Sequence, residues 1–370
     1  MLRRDLGVAG ATLLGLGSIL GTGVFVSIAL VAGLAGRWTP VAVVAAALVA
    51  TCNALSSAQL AAAHPRSGGT YEYGYRLLHP LAGFTAGWMF LCAKSASAAA
   101  AALGVAGYLL HLARVEGGEA TPWVAGACVA LLTALVAGGL RRSSVVNTII
   151  VSVTLGSLVA FVIAGAPAAL GNRLADTGRA AAPTLRQMLE ATALMFVAYT
   201  GYGRVATLGE EVRDPARTIP RAIVATLVVS AMVYLGVAWV GVGVLGPADW
   251  LAGVEGAGAP LERVAASLNR PGLPTLLAVG AVTAMAGVLL NLLLGLSRVL
   301  LAMGRRADMP AALARVDDRR GSPVAAVVAV GVAVLLLAVT GSVRSTWSFS
   351  AFTVLVYYAL TNAAALRLPP

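Results

Sequence analysis

Charge is scarce in this chain. Asp, Glu, Lys and Arg make up only 11% of its 370 residues, against about 25% in soluble domains, and that excludes an ordinary water-soluble protein. Lysine is nearly missing: Lys94 stands alone, and arginine supplies the other basic residues. Cysteine is rare too. Cys52, Cys92 and Cys128 are odd in number, lie in apolar runs and show no CxxC spacing. They read as buried small apolar residues, not as a disulfide framework or a metal site. His64, His79 and His111 fall at the ends of apolar runs, too scattered to hold a metal. Paired acids within a run and a Ser/His arrangement are both missing, so the chain is not read as an enzyme and no cofactor is expected. Nor is a cleavable signal evident, because the first apolar run, 7–33, is too long for one.

What remains is apolar. Hydrophobic residues make up 59% of the chain and the mean hydropathy is +0.87. Runs of about 20 residues recur, each enough to cross a bilayer core of about 30 Å. They are continuous rather than alternating, which excludes a barrel. The expected fold is an all-α polytopic membrane protein with ten spans: 7–33, 39–62, 80–112, 121–140, 144–168, 187–209, 219–245, 273–303, 322–341 and 345–365. Breakers such as His79-Pro80, Gly246-Pro247 and Ser322-Pro323 punctuate the loops. The net charge of +11 does not point to nucleic acid, because the arginines sit mostly in short loops. With the N-terminus in the cytoplasm, 17 arginines fall inside and 8 outside. That bias, with an even span number, predicts both termini on the cytoplasmic side of the cell membrane.

Two spans are interrupted. The first contains "SILGTGVFVS", with Gly21 and Gly23 at its centre; the sixth contains "YTGYG", with Gly201 and Gly203. Glycine weakens a helix by about 1 kcal/mol relative to alanine. Taken singly, such glycines suit close helix packing, and Gly17-x-x-x-Gly21 fits that pattern. Interruptions five spans apart, at matching places in two halves, point instead to inverted repeats, 1–168 and 187–365, within one transport domain. Unwinding at mid-membrane exposes backbone groups that must line a cavity. The freed N–H groups suit a carboxylate and the freed C=O groups suit an ammonium or Na⁺. A zwitterion can be held this way without an ionised side chain.

Several stretches carry a resemblance. They are "GLGSILGTGVF", "HPRSGGTYEYGYRLLHPLAGFTAGW", "TGYGRVATLGEEVRDPARTIPRAI", "LSRVLLAMGRRADMPAALARV" and "FSAFTVLVYYALTNAAALRL", in that order. With them the chain resembles the amino acid permeases of the amino acid–polyamine–organocation (APC) superfamily over nearly its whole length. The resemblance implies the LeuT-like five-plus-five inverted repeat with broken helices 1 and 6, and alternating access. It implies that Thr22 and Gly23 hold the substrate carboxylate and that the carbonyls of Ile19, Val197 and Thr200 face its amine. Tyr199, Gly201 and Tyr202 would lie at or beside the site, with the two tyrosines helping to occlude it. Ser67–Tyr73 and Glu210–Pro220 would be cytoplasmic folding and gating structure, with Pro215 and Pro220 at helix boundaries.

The chain departs from the pattern in three places. Many relatives carry an acid where this chain has Gly203. Some proton-coupled relatives carry a lysine in span five, where this chain has Thr154, a hydroxyl that can act only as a neutral ligand. Typical relatives have twelve spans rather than ten, so a dimer contact built on the last two is not expected. Lys94, in "FLCAKSASAAAAALG", lies within span three with no acidic partner evident. A charged lysine at mid-bilayer costs about 2.5–3.5 kcal/mol. Three roles stay open for it: proton carrier, contact to an acidic substrate side chain, or structural donor to interior carbonyls.

The expected activity is transport of amino acids, neutral ones favoured because no mid-span acid can pair a cationic side chain. Protons are the expected coupling ion. Exchange or facilitated flow is the alternative, as is a non-transporting amino acid sensor, and Na⁺ held by hydroxyls such as Thr283 is not specified by any motif. Partners are the amino acid and the bilayer.

Overall fold

The computed structural model describes residues 7–368 except 64–68, 116–117, 140–143, 176–181, 207–211, 256–258 and 318–321. The described residues are helical and contain no β-strand. Helix α1 (Val8–Ile19) stops short, and a π-helical turn (Gly23–Ser27) restarts the chain into α2 (Ile28–Ala35). Next come α3 (Thr39–Ala63), the short α4 (Thr70–Tyr73) with a π turn (Gly74–Leu78), and the long α5 (Pro80–Leu112). They are followed by α6 (Ala120–Ala137) and α7 (Ser144–Ala175). The second interrupted element consists of α8 (Leu185–Tyr199), a 3-10 turn (Thr200–Tyr202) and α9 (Gly203–Ala206). The chain then forms α10 (Pro215–Val244), the short α11 (Pro247–Glu255) and α12 (Pro260–Ser267), α13 (Leu273–Arg305), α14 (Val324–Thr340) and α15 (Val343–Ala365).

Six helical stretches among the described residues are long and apolar enough to cross a membrane, and α1 and α14 are shorter apolar helices. Large apolar side chains crowd the outer surface, Leu48, Trp123 and Ile163 among them. In water such a surface would aggregate; in lipid it is the stable one. The chain is a multi-pass membrane protein.

Local sequence sets the helix ends. Thr184 opens α8 with a reciprocal cap: the Gln187 N–H donates to Thr184 Oγ1 (3.3 Å) and the Thr184 N–H donates to Gln187 Oε1 (2.9 Å). Ser342 and Ser345 do the same for α15. Pro80, Pro215 and Pro260 begin their helices, where a missing N–H costs nothing. Pro220, expected at a boundary, instead lies within α10, and α7 runs through Pro167 to Ala175. The segment between Gly246 and Gly272 read as loop from its breakers, yet it holds α11, started by the Pro247 that suggested a turn, and α12, started by Pro260.

Two groups of helices pack around two cores, with α5 and α13 contributing residues to both. One core joins α1, α2, α3, α8 and α10 around Phe25, Tyr199 and Tyr234. A second joins α5, α6, α13 and α14 around Leu293, Leu296 and Val330. Helix α5 also lies along α15, and its residues Ala98–Ala102 are fully buried. Alanine lets neighbouring backbones approach closely there. The cysteines correct one expectation. Cys52 is exposed, and Cys92 and Cys128 are half-buried, because a lipid-facing helix surface accepts a small apolar side chain as readily as the core does.

Candidate functional site

The two interruptions meet. At the first, the Leu20 backbone turns extended (φ −75°, ψ 104°) and α1 ends at Ile19. At the second, α8 ends at Tyr199 and tightens into the 3-10 turn. Here glycine is required by proximity rather than torsion. A Cβ on Gly201 would stand 2.4 Å from Ser18 O, and one on Gly23 would stand 2.5 Å from Ala198 Cβ. Gly21 faces Val288 of α13, where a Cβ would meet Cγ2 at 2.7 Å. Gly203 is different, since its nearest neighbour for a Cβ is the Tyr358 hydroxyl at 3.7 Å. Space therefore does not demand a glycine at 203.

A cavity of about 40 Å³ lies between the breaks, lined by Ser18, Ile19, Thr22, Gly23, Lys94, Ser97, Val197, Ala198, Thr200, Gly201, Val288, Leu292 and Trp347. It has room for about three waters. A larger furrow of about 560 Å³ runs along α10 past Val224 and Val228, but it is open, apolar and on the outer surface. The polar groups converge on the smaller cavity.

Six residues expected at the site line this cavity: Ile19, Thr22, Gly23, Val197, Thr200 and Gly201. In the helix restarting at Gly23, the Val24 and Phe25 N–H groups donate back to Gly21 O (3.1 and 3.2 Å). Beside them Thr22 Oγ1 is buried with no hydrogen-bond partner among the described residues. A buried hydroxyl without a partner costs about 1–3 kcal/mol, which a bound ligand would recover.

Tyr199 and Tyr202 are not among the lining residues, but both are fully buried and adjoin residues that are. The Tyr199 hydroxyl donates to Val43 O of α3 (3.3 Å), and the Tyr202 ring packs 5.7 Å from that of Tyr358. The expected amine-facing carbonyls already have donors. Tyr234 donates to Ile19 O (2.9 Å), Thr200 Oγ1 to Val197 O (2.8 Å), and the Tyr358 hydroxyl lies 3.4 Å from Thr200 O. Val197 O also accepts the Thr200 backbone N–H, so both of its lone pairs are engaged.

Lys94 enters the cavity from α5, and its Nζ donates to Thr200 Oγ1 at 2.8 Å. No carboxylate pairs with it among the described residues. Next to it, Ser97 Oγ and Ser350 Oγ are 2.7 Å apart, and Ser350 donates to Ala93 O (2.9 Å). Lys94 thus links α5 directly to the second break. Thr154 and Thr283 turn their hydroxyls back onto their own helices, at Ile150 O and Val279 O, both 2.8 Å. Sequence reasoning missed Ser18, Ser97, Ala198, Val288, Leu292 and Trp347 as cavity residues. Only helical spacing from Lys94 offered a signal, and only for Ser97.

Two polar clusters sit outside the apolar belt. The first joins α4 and its π turn to the end of α13. Asp308 accepts from the Tyr71 hydroxyl and from the Tyr75 hydroxyl (2.7 Å). Arg306 lies over the Tyr75 ring at 4.1 Å and pairs with Glu72 (2.7 Å), which also pairs with Arg76 (2.6 Å). Burial, and then the Asp308 carboxylate, push the Tyr71 hydroxyl well above the usual phenol range. Of the expected gating loops, residues 67–68 and 210–211 lie outside the described residues.

The second cluster is at the opposite end of α5. His111 Nε2 stands 3.6 Å from Glu262 Oε1 of α12, and Glu262 Oε2 is buried without a hydrogen-bond partner among the described residues. Burial pushes the Glu262 carboxyl up to about 7.

With this geometry in view, comparison with known proteins is direct. Residues 10–368 match the profile of the family described as amino acid permease. An uncharacterized transporter of Mycobacterium tuberculosis is 43% identical, over 99% of this chain and 81% of its own length. The branched-chain amino acid permease BcaP of Bacillus subtilis is 30% identical, over 87% of this chain and 71% of its own. The methylthioribose transporter of the same organism is 28% identical, over 96% and 80%.

Proposed function

Because the chain belongs to the amino acid permease family, whose members are membrane transporters and not enzymes, we propose that it moves neutral amino acids across the cytoplasmic membrane by alternating access, driven by protons. The proposed architecture is ten spans in two inverted repeats, with both termini in the cytoplasm. One observation carries the reading: the cavity between the two helix breaks, with the unpartnered Thr22 hydroxyl on one side and the carbonyls of the breaks on the other. The carboxylate binds at Thr22 and Gly23, and the ammonium at carbonyls of the two breaks. Val197, Val288, Leu292 and Trp347 offer an apolar lining for the side chain, and no acidic residue lines the cavity. The likeness to a branched-chain amino acid permease supports the same preference.

At about 40 Å³ the cavity is smaller than an amino acid needs, so loading and release require the helix groups to part. Lys94 is the proposed proton carrier. Its bond to Thr200 crosses the boundary between the groups, so protonation and opening act on the same contact.

The test is uptake of labelled amino acids into proteoliposomes, with and without an inward proton gradient. Gradient-dependent concentration of a neutral amino acid, lost in Lys94→Ala while counterflow persists, is the expected result. Gradient-independent counterflow in the wild type refutes proton coupling and leaves an exchanger. Binding without flux refutes transport and leaves a sensor.

A further inference from the structure

Tyr234 occupies a place that its sequence context does not advertise. It lies in the apolar run of α10, and its side chain is fully buried. Its hydroxyl donates to Ile19 O at 2.9 Å and reaches Ala198 O at 3.2 Å. These two carbonyls have a common origin. Ile19 ends α1 and Ala198 is the penultimate residue of α8, so both belong to the last turns, where C=O groups lack intrahelical donors. One phenol therefore joins both breaks. It also stands 3.2 Å from where a Gly23 Cβ would be, so the restarted helix begins against it. The Tyr199 ring, 5.0 Å away, fixes the phenol from the side.

A hydroxyl has one proton, so it can satisfy only one of the two carbonyls at a time. The other oxygen takes no proton from the phenol at that moment. Ile19 and Ala198 both line the cavity. Two carbonyl oxygens drawn to one point repel each other unless a donor lies between them, and the phenol is that donor. An ammonium, with three donors, fits the acceptor capacity left over.

We propose that Tyr234 is a positioning residue for the substrate's ammonium, holding the Ile19 and Ala198 carbonyls together as its acceptors. This deepens the proposed function and rests on it. Tyr234 need not touch the substrate; its effect passes through the two carbonyls. The phenol therefore contributes to recognition of the amine and not of the carboxylate.

Tyr234→Phe keeps the ring and its packing on Tyr199 and removes only the hydroxyl. Purified protein is assayed for binding of the twenty standard L-amino acids. The tightest binder is then compared with its 2-hydroxy acid, in which a hydroxyl replaces the amine. Expected in Tyr234→Phe is about a tenfold loss of affinity for the amino acid, with less than about a twofold loss for the hydroxy acid, and a raised KM with Vmax nearly unchanged. Thr226→Val serves as the packing control. It removes another bond from α10 to α1, to Thr12 O at 3.4 Å, about two turns away. Equal losses for both ligands, or a pattern matching Thr226→Val, overturn the inference and leave Tyr234 a purely structural residue. So does a Tyr234→Phe protein that does not fold. If the hydroxy acid is too weak to measure, the KM and Vmax split decides, and an unchanged KM overturns the inference. A wild type that binds no amino acid overturns the proposed function, and this inference with it.

Discussion

Gly201→Ala adds one methyl group at the tightest point between the two breaks. Its Cβ would stand 2.4 Å from Ser18 O and 2.6 Å from Ser18 C. Both are backbone atoms, so no rotamer change relieves the contact. To reach the 3.0–3.4 Å range that real Cβ atoms tolerate, the breaks must separate by about 0.6–1.0 Å in a tightly packed interior. Overpacking of this kind costs about 1–3 kcal/mol. If the native spacing is also the binding-competent one, that cost is about 5- to 150-fold in affinity. The assay is equilibrium binding of the best amino acid to purified protein, with thermal unfolding measured in parallel. Gly295→Ala on α13 is the control, since an added Cβ there meets nothing within 4 Å. Its expected effect is within about twofold. A Gly201→Ala protein that is folded and binds as the wild type does would refute the claim that contact between the breaks shapes the site.

Two further predictions concern the polar clusters. The Glu262 carboxyl titrates near 7 when folded, against an ordinary 4.5, because it is buried. Between those values the folded protein keeps a proton that the unfolded chain has lost, so stability falls as pH rises from about 4.5 to about 7. Glu262→Gln removes this loss. It should raise the unfolding temperature at pH 8, by the equivalent of about 1–3 kcal/mol after allowing for solvent screening, and flatten the slope between pH 5 and 8. Parallel slopes in variant and wild type would refute it. Asp308→Asn keeps the shape of the carboxylate but weakens two tyrosine hydrogen bonds, at a cost of about 1–3 kcal/mol. Its unfolding temperature should fall by several degrees, and a fall no greater in Asp308→Asn than in a substitution at an exposed loop position would sink the idea.

Much of the helical framework was legible because membrane helices are long apolar runs, and the ends of α3, α5 and α13 lie close to the sequence boundaries. The breaks were legible because Gly21, Gly23 and Gly201 are costly in a helix unless something needs them. Lys94 was legible because it is the one lysine. Other features were hidden for physical reasons. Helices α11 and α12 are too short and too polar to register as apolar runs, and their prolines signal turns and helix starts alike. Tyr199 packs against Tyr234 and Tyr202 against Tyr358, partners distant in sequence that composition does not encode. Tyr234 looks like any aromatic in an apolar helix, and its partners are carbonyls 215 and 36 residues away in sequence. Backbone acceptors leave no mark on residue identity.

That last point bears on how the gene can vary. The tightest parts of the cavity wall are small residues, Ser18, Gly23, Ala198 and Gly201, packed against one another. Truncating substitutions, the usual probe of a binding pocket, will find little to remove at those positions. Harmful alleles should instead be those that enlarge a residue: Gly to Ala, Ala to Val, Ser to Leu. Changes of substrate preference have few routes, through Ser97, Val288, Leu292 and Trp347, because the groups that would grip the amino acid backbone are, apart from the Thr22 hydroxyl, main chain.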